Sequence, residues 1–223
     1  MIELKNITKS YKTPQGRQYI FKNVSLKFPE NKSVALVGRN GAGKSTLLRI
    51  IGGIDKPDDG EVVTDKKISW PVGLAGGFQG SLTGRENVKF VANLYAKKKD
   101  VRDVLNFVED FAELGKYFDM PIRTYSSGMR SRLGFGLSMA FKFDYYLVDE
   151  VTAVGDEKFK NKCSAMFKER GKGANFLMVS HNFFTLVEHC DVAIYLNREN
   201  QVLYFDKVMD AIKKYRFDEF GIQ

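Results

Sequence analysis

The sequence predicts an α/β fold wound around a phosphate-binding loop, with an antiparallel β-subdomain at its N-terminus and a helical subdomain inserted in its middle. Three observations predict it. Residues 38–45 read G-x-x-x-x-G-K-S between an apolar run at 33–37 (SVALV) and helix-forming residues at 46–52 (TLLRIIG). Strand, glycine-rich turn and helix in that order are what a phosphate loop requires. Residues 2–7 and 19–28 alternate apolar and polar side chains, as half-buried antiparallel strands do. Residues 83–96 and 101–114 carry apolar side chains at helical spacing and break the β/α alternation. The expected division is residues 1–80 and 140–223 for a P-loop NTPase core with its β-subdomain, and residues 81–139 for the helical part.

The loop defines the chemistry. Its glycines let the backbone wind so that successive N–H groups point at one anion. The helix behind it adds the positive end of its dipole. Gly38, Arg39, Asn40, Gly41, Ala42, Gly43, Lys44, Ser45 and Thr46 are therefore expected to cradle a nucleoside triphosphate. Lys44 brings a full positive charge to the β- and γ-phosphates, and the Ser45 hydroxyl is a ligand for Mg²⁺. A turn that merely carries Lys-Ser would not need the strand before it and the helix after it.

Composition narrows the setting. The net charge is +8, which favours nucleic acid, anionic lipid or another polyanion as neighbour and is equally met by a solvated Lys-rich surface. Residues 97–99 are the one dense cluster of lysines, at an expected helix end where cations are favoured. Cys163 and Cys190 lie far apart without metal-ligand spacing and are expected to be reduced thiols of a cytosolic protein. Strand-like alternation begins at Met1, so no signal peptide is expected. No apolar run approaches the roughly 20 residues that cross a bilayer. The best candidate, 133–143, is short and contains Lys142.

The remaining segments follow in order. Thr13-Pro14-Gln15-Gly16 is a turn between the first two strands. Tyr11, near the end of the first, can stack on a purine or pack on its own sheet. Residues 55–60 (DKPDDG) form a turn, and 61–64 and 67–70 are expected to make a short strand pair. A glycine-dense loop, 73–80, precedes a capping box opened by Thr83 and closed by Glu86. Residues 145–148 form an apolar strand ending in Asp149-Glu150. Asp149 at the carboxyl end of a buried strand is placed for Mg²⁺, and Glu150 for a water attacking the γ-phosphate. A parallel strand at 175–179 leads to His181, which would share the phosphate edge of the sheet and can contact the γ-phosphate. Residues 124–133 form a Ser/Gly turn running into a helix. Its N-terminus can read the phosphate of a nucleotide on a second copy, or Ser126 or Ser127 can serve as an ordinary N-cap.

Together these residues resemble the ATP-binding-cassette (ABC) ATPase family over nearly the whole chain. Lys44 and Ser45 fall in its first nucleotide motif, Asp149-Glu150 in its second, and Gln79 at its glutamine loop. Ser126, Ser127 and Gly128 occupy its signature motif, His181 its switch histidine, and Tyr11 the place where an aromatic stacks on adenine. Two departures stand out. Met129 replaces the usual Gln of the signature, and Val151 replaces the common Pro after the glutamate. Residues 70–87, 125–130 and 149–156 further resemble the ATPase subunits of bacterial group 2 (polysialic-acid-type) capsular-polysaccharide exporters. An expected helix at 208–215 is the last element read in the sequence, so the extra domain that O-antigen and teichoic-acid exporters often append is not expected here.

The resemblance implies a homodimer that binds two ATP with Mg²⁺, each nucleotide held between one phosphate loop and the partner copy's Ser126–Gly128. It implies that Glu150 activates water, that His181 stabilises the γ-phosphate, and that Gln79 links Mg²⁺ and water to the helical subdomain. Asp156 would lie in a loop crossing the dimer interface. A separate integral membrane permease would carry the glycan, with periplasmic and outer-membrane export components reached through it. The expected location is the cytoplasmic face of the bacterial inner membrane. An exporter of another surface glycan, O-antigen or teichoic acid, is one alternative, and a soluble ATPase acting on nucleic acid or ribosomes is the other. The short mid-chain helices and single set of motifs argue against the latter, and no nucleic acid is expected.

Overall fold

The computed structural model describes residues 1–73, 77–149, 156–197 and 201–221. In chain order the first elements are β1 (Ile2–Thr13), β2 (Gly16–Phe28), β3 (Val34–Gly38), α1 (Lys44–Ile51), β4 (Asp59–Thr64) and β5 (Ile68–Pro71). Then come α2 (Gly84–Tyr95), α3 (Val101–Ala112), α4 (Ser127–Ala140), β6 (Tyr145–Asp149) and α5 (Glu157–Arg170). The last are β7 (Asn175–Val179), α6 (Phe183–His189), β8 (Val192–Leu196), β9 (Val202–Phe205) and α7 (Val208–Phe220). They form two compact units. One is Met1–Pro71 with Phe143–Glu150 and Gly173–Gln223, and the other is Val72–Lys142 with Val151–Lys172. The sequence reading put residues 140–223 in the core; α5 groups with the helical unit instead.

The first unit holds two sheets. An antiparallel one runs β2-β1-β4, and a six-stranded one runs β5-β6-β7-β3-β8-β9, parallel except for β9. Strands β3, β6, β7 and β8 are continuous apolar runs because both their faces are covered. Helix α1 buries Leu47, Leu48, Ile50 and Ile51 in a core shared with Val34, Leu36, Leu147, Leu177 and Ile194. Each such side chain contributes about 1.5–3 kcal/mol when removed from water. The β1–β2 hairpin extends beyond the expected strands to Thr13 and Gly16, because backbone pairing continues after the apolar alternation stops (Tyr11 faces Gln18, Lys12 faces Arg17).

Strands β4 and β5 do not pair with each other, contrary to the sequence expectation. β4 adds to β1, with Thr64 facing Ile2, whereas β5 lies parallel to β6, with Ile68 facing Tyr145. The physical reason is a reciprocal clasp between the residues that lead into β5 and β6. Lys67 N donates to Asp144 Oδ2 at 2.7 Å, and Asp144 N donates to Lys67 O at 2.8 Å. This bond pair hands the chain to a strand 77 residues away, beyond the reach of local pattern.

In the second unit Thr83 caps α2 as predicted. Its hydroxyl accepts from Glu86 N at 3.1 Å, and Thr83 N donates to Glu86 Oε2 at 2.8 Å. Phe111, Phe135, Phe159 and Phe167 form a ring cluster joining α3, α4 and α5, with centroids 5.2–6.4 Å apart. Cys163 is an unpaired thiol buried near this cluster's helix, and burial pushes it up to about 12, so it is a poor nucleophile at neutral pH. No described helix is long and apolar enough to cross a membrane.

Arg85 ties this unit together. Its guanidinium forks onto Glu109 (2.7 and 2.9 Å), reaches Asp119 at 2.6 Å and lies 4.7 Å over the Phe118 ring. The Arg85 hydrogen bond holds the Asp119 carboxyl below its usual range. That stabilisation is complete above the ordinary carboxylate pKa and is lost as pH falls through the depressed one. The Arg85 side chain is 38% exposed, so solvent screens the pair. Arg85→Ala is expected to lower stability by about 1–2 kcal/mol, and Arg85→Lys to recover less than half, as urea denaturation at neutral pH would measure. A loss below about 0.3 kcal/mol in Arg85→Ala would show that the network is decorative.

Candidate functional site

Gly38 ends β3, and the chain turns through residues 39–43 into α1. Gly41 (φ +80°) and Gly43 (φ +96°) take left-handed conformations that side chains with a Cβ disfavour. At Gly43 a Cβ would also overlap Ile20 Cγ2 and lie 2.7 Å from Phe21 Cζ. Gly43 is the N-cap of α1, and no side chain caps the helix. Its first-turn N–H groups therefore face the loop, the arrangement that binds an anion. The Lys44 side chain folds back beneath the loop. Its Nζ donates to Gly38 O at 2.7 Å and Arg39 O at 2.9 Å, and the residue is only 9% exposed.

These residues border a cavity of about 430 Å³ lined by Ile20, Asn40, Gly41, Gly43, Lys44, Ser45, Thr46 and His181. Phosphate donors, a buried ammonium and an imidazole thus surround one space. Asp149 is level with Val179 in the parallel β6–β7 ladder, so His181, two residues on, stands at the same carboxyl edge as expected. Ser45 Oγ donates to Asp149 Oδ1 at 3.1 Å. A hydroxyl and a carboxylate converging beside the phosphate loop form an all-oxygen donor pair that fits Mg²⁺. No group of three or more His, Cys, Asp and Glu side chains among the described residues could hold a metal. Phosphate oxygens and water would have to complete the shell.

Other predicted site residues lie elsewhere. Tyr11, on β1, is 43% exposed with Lys9 Nζ 5.4 Å from its ring centroid, and it does not line the cavity. Glu150 and Val151 lie outside the described residues, as do 74–76 of the glycine-dense loop. Gln79 belongs to the second unit. Its backbone N donates to Asn87 Oδ1 at 2.8 Å, and its Nε2 to Ser81 Oγ at 3.3 Å.

The signature residues open α4 in that same unit. Ser126 is the N-cap, its Oγ accepting from Met129 N at 3.2 Å, and Ser127 and Gly128 form the first turn. The capping alternative thus describes Ser126 as it stands here. Arg130 reaches back to Tyr125 O at 3.0 Å. Asp156 caps α5, and the Phe159 N–H it accepts, aided by Arg132 Nη2 at 2.6 Å, keeps its carboxyl below the usual range.

Two residues escaped the sequence reading. Ile20 lines the cavity although it lies in an apparently ordinary strand; three consecutive apolar residues, Tyr19-Ile20-Phe21, were the signal that alternation breaks there. Asn87, only 5% exposed, clasps the glutamine loop by accepting from Gln79 N and donating to Gln79 O at 3.1 Å. A polar residue on the buried stripe of α2 was its signal.

Comparison with known proteins agrees with this geometry. Residues 21–153 match the ABC transporter family model. The chain is 66% identical over 216 residues to the polysialic acid transport ATP-binding protein KpsT of Escherichia coli, covering 97% of this chain and 96% of the relative. It is 41% identical over 215 residues to the capsule polysaccharide export ATP-binding protein CtrD of Neisseria meningitidis serogroup B, covering 96% and 98%. A solved dimeric ATP-binding cassette in a post-hydrolysis state, bound to ADP and Pi, superimposes with a TM-score of 0.76 at 28% identity, covering 93% of this chain and 99% of that one. With its phosphate loop, Ser45–Asp149 pair and cavity-lining His181 in place, the chain belongs to the ABC transporter family as an ATP-binding cassette ATPase.

Proposed function

We infer that this chain is the ATP-hydrolysing subunit of an exporter that moves capsular polysaccharide across the bacterial inner membrane. The observation that carries the reading is near-full-length similarity to capsule-export ATP-binding proteins, joined to a complete phosphate loop. Two copies act as a homodimer on the cytoplasmic face, attached to a separate membrane permease that provides the glycan path. The helical subdomain, residues 81–139, receives the motion and Gln79 relays it.

In this mechanism the loop N–H groups and Lys44 bind the β- and γ-phosphates and orient the γ-phosphate for in-line attack. Mg²⁺ would be held by Ser45 and Asp149, with Gln79 as a further ligand once ATP is bound, and would neutralise charge on those phosphates. Glu150 holds the attacking water and accepts its proton. His181 donates to the γ-phosphate as charge builds on it. The partner copy's Ser126 and Gly128 close over the same phosphate and exclude water. Tyr11 stacks on adenine from the edge of the β1–β2 hairpin.

The test is affinity purification of the tagged chain from detergent-solubilised membranes, with and without nuclease. A multi-span membrane protein at stoichiometric yield, insensitive to nuclease, is the expected result. Recovery with nucleic acid or ribosomes and no membrane protein would overturn the exporter reading.

A further inference from the structure

Asn87 turns its whole amide toward the backbone that precedes its own helix. Its Oδ1 accepts from Gln79 N at 2.8 Å. Its Nδ2 donates to Gln79 O at 3.1 Å and Thr83 O at 2.9 Å, with a longer contact to Leu82 O at 3.4 Å. Bonds to the N–H and the C=O of one residue fix both peptides that flank it. Capping the helix does not require this, because the Thr83 hydroxyl already does so. At 5% exposure the amide has almost no water to turn to, so leaving these bonds unmade is costly.

Gln79 lies in neither helix nor strand, so its backbone is held by such outside bonds. The residues after it are tied as well. Gly80 O accepts from Arg123 N at 2.9 Å, and Leu82 O accepts from Ile122 N at 2.9 Å. Ile122 and Arg123 lead directly into Tyr125–Gly128, the signature turn. One hydrogen-bonded frame thus carries Gln79 at one end and the signature turn at the other, and Asn87 closes it from α2. We propose that Asn87 is the positioning residue of the glutamine loop, fixing the backbone from which the Gln79 side chain serves Mg²⁺ and water. The proposal rests on the role given to Gln79 above.

The test is steady-state ATP hydrolysis by the full chain in Asn87→Ala, Gln79→Ala and the double variant, each with its melting curve. Asn87→Ala is expected to lower kcat about thirtyfold and to move KM for ATP by less than about threefold, because the phosphate loop belongs to the other unit. Adding Asn87→Ala to Gln79→Ala should lower kcat by less than about threefold more, since a residue that acts through Gln79 then has nothing left to position. Asn87→Asp substitutes for the alanine variant, alone and in the double, if that one fails to fold. It keeps the acceptor for Gln79 N but sets a second oxygen against Gln79 O and Thr83 O, and should lower kcat about tenfold. An unchanged kcat would mean that Asn87 positions nothing. A full further loss in the double variant, or a KM that rises as far as kcat falls, would mean that it only supports the fold. Any of these overturns the proposal. Normal turnover in Gln79→Ala alone would instead sink the role of Gln79 itself.

Discussion

Replacing Lys44 with alanine is expected to lower ATP hydrolysis about a thousandfold while the fold survives. The two effects differ in size for a physical reason. Among the contacts of the ammonium in the folded chain are two neutral carbonyls, Gly38 O and Arg39 O, and water can replace it on both. Facing phosphate, the same ammonium is a full charge in a site where the residue is only 9% exposed. At an effective dielectric of about 20, a unit charge about 4 Å from phosphate is worth about 4 kcal/mol, and that corresponds to about three decades of rate. Hydrolysis measured beside thermal melting checks this. Turnover within about tenfold of the natural chain, with the melting point unchanged, would remove Lys44 from the chemistry.

Gly43→Ala is the second large effect, and it acts before any nucleotide arrives. Two costs add. A side chain at φ +96° costs about 1–2 kcal/mol. The new Cβ must also displace Ile20 or Phe21, and Phe21 is 2% exposed within the core, where overpacking costs about 1–3 kcal/mol. A loss of about 3 kcal/mol in the free chain is expected by urea denaturation. Gly53 is the internal control, because it has φ +70° but nothing within 4 Å of its would-be Cβ. Gly53→Ala should cost only about 1 kcal/mol. Equal losses at the two positions would show that backbone conformation alone explains Gly43.

What could be read in advance depended on how local its cause is. The phosphate loop, the Thr83–Glu86 box and the buried strand ending at Asp149 were legible because each is fixed by neighbours within a few residues. Their burial, caps and register agree with that reading. The partnering of β4 and β5 was not legible, since the Lys67–Asp144 clasp joins residues far apart in the chain. Ile20 was missed because its role comes from a slip in pairing register, visible only when β1 is laid beside β2. Asn87 shows the same limit, since the carbonyls it satisfies belong to the loop before its own helix.

The strand order has a consequence for how the chain comes to be made. β3, which leads into the phosphate loop, is flanked by β7 and β8, both drawn from the C-terminal third. During synthesis at about 5–20 residues per second, β1, β2 and β4 can pair as soon as they emerge, because they lie together in the first 64 residues. β3 waits, apolar and without either neighbour, until β7 is complete at residue 179, and gains its second neighbour, β8, only when residue 196 has been added. The loop that defines the activity is thus encoded early and shaped last. Until then a growing chain presents an unpaired apolar strand to its surroundings, the state in which a nascent protein is most open to aggregation and to chaperones.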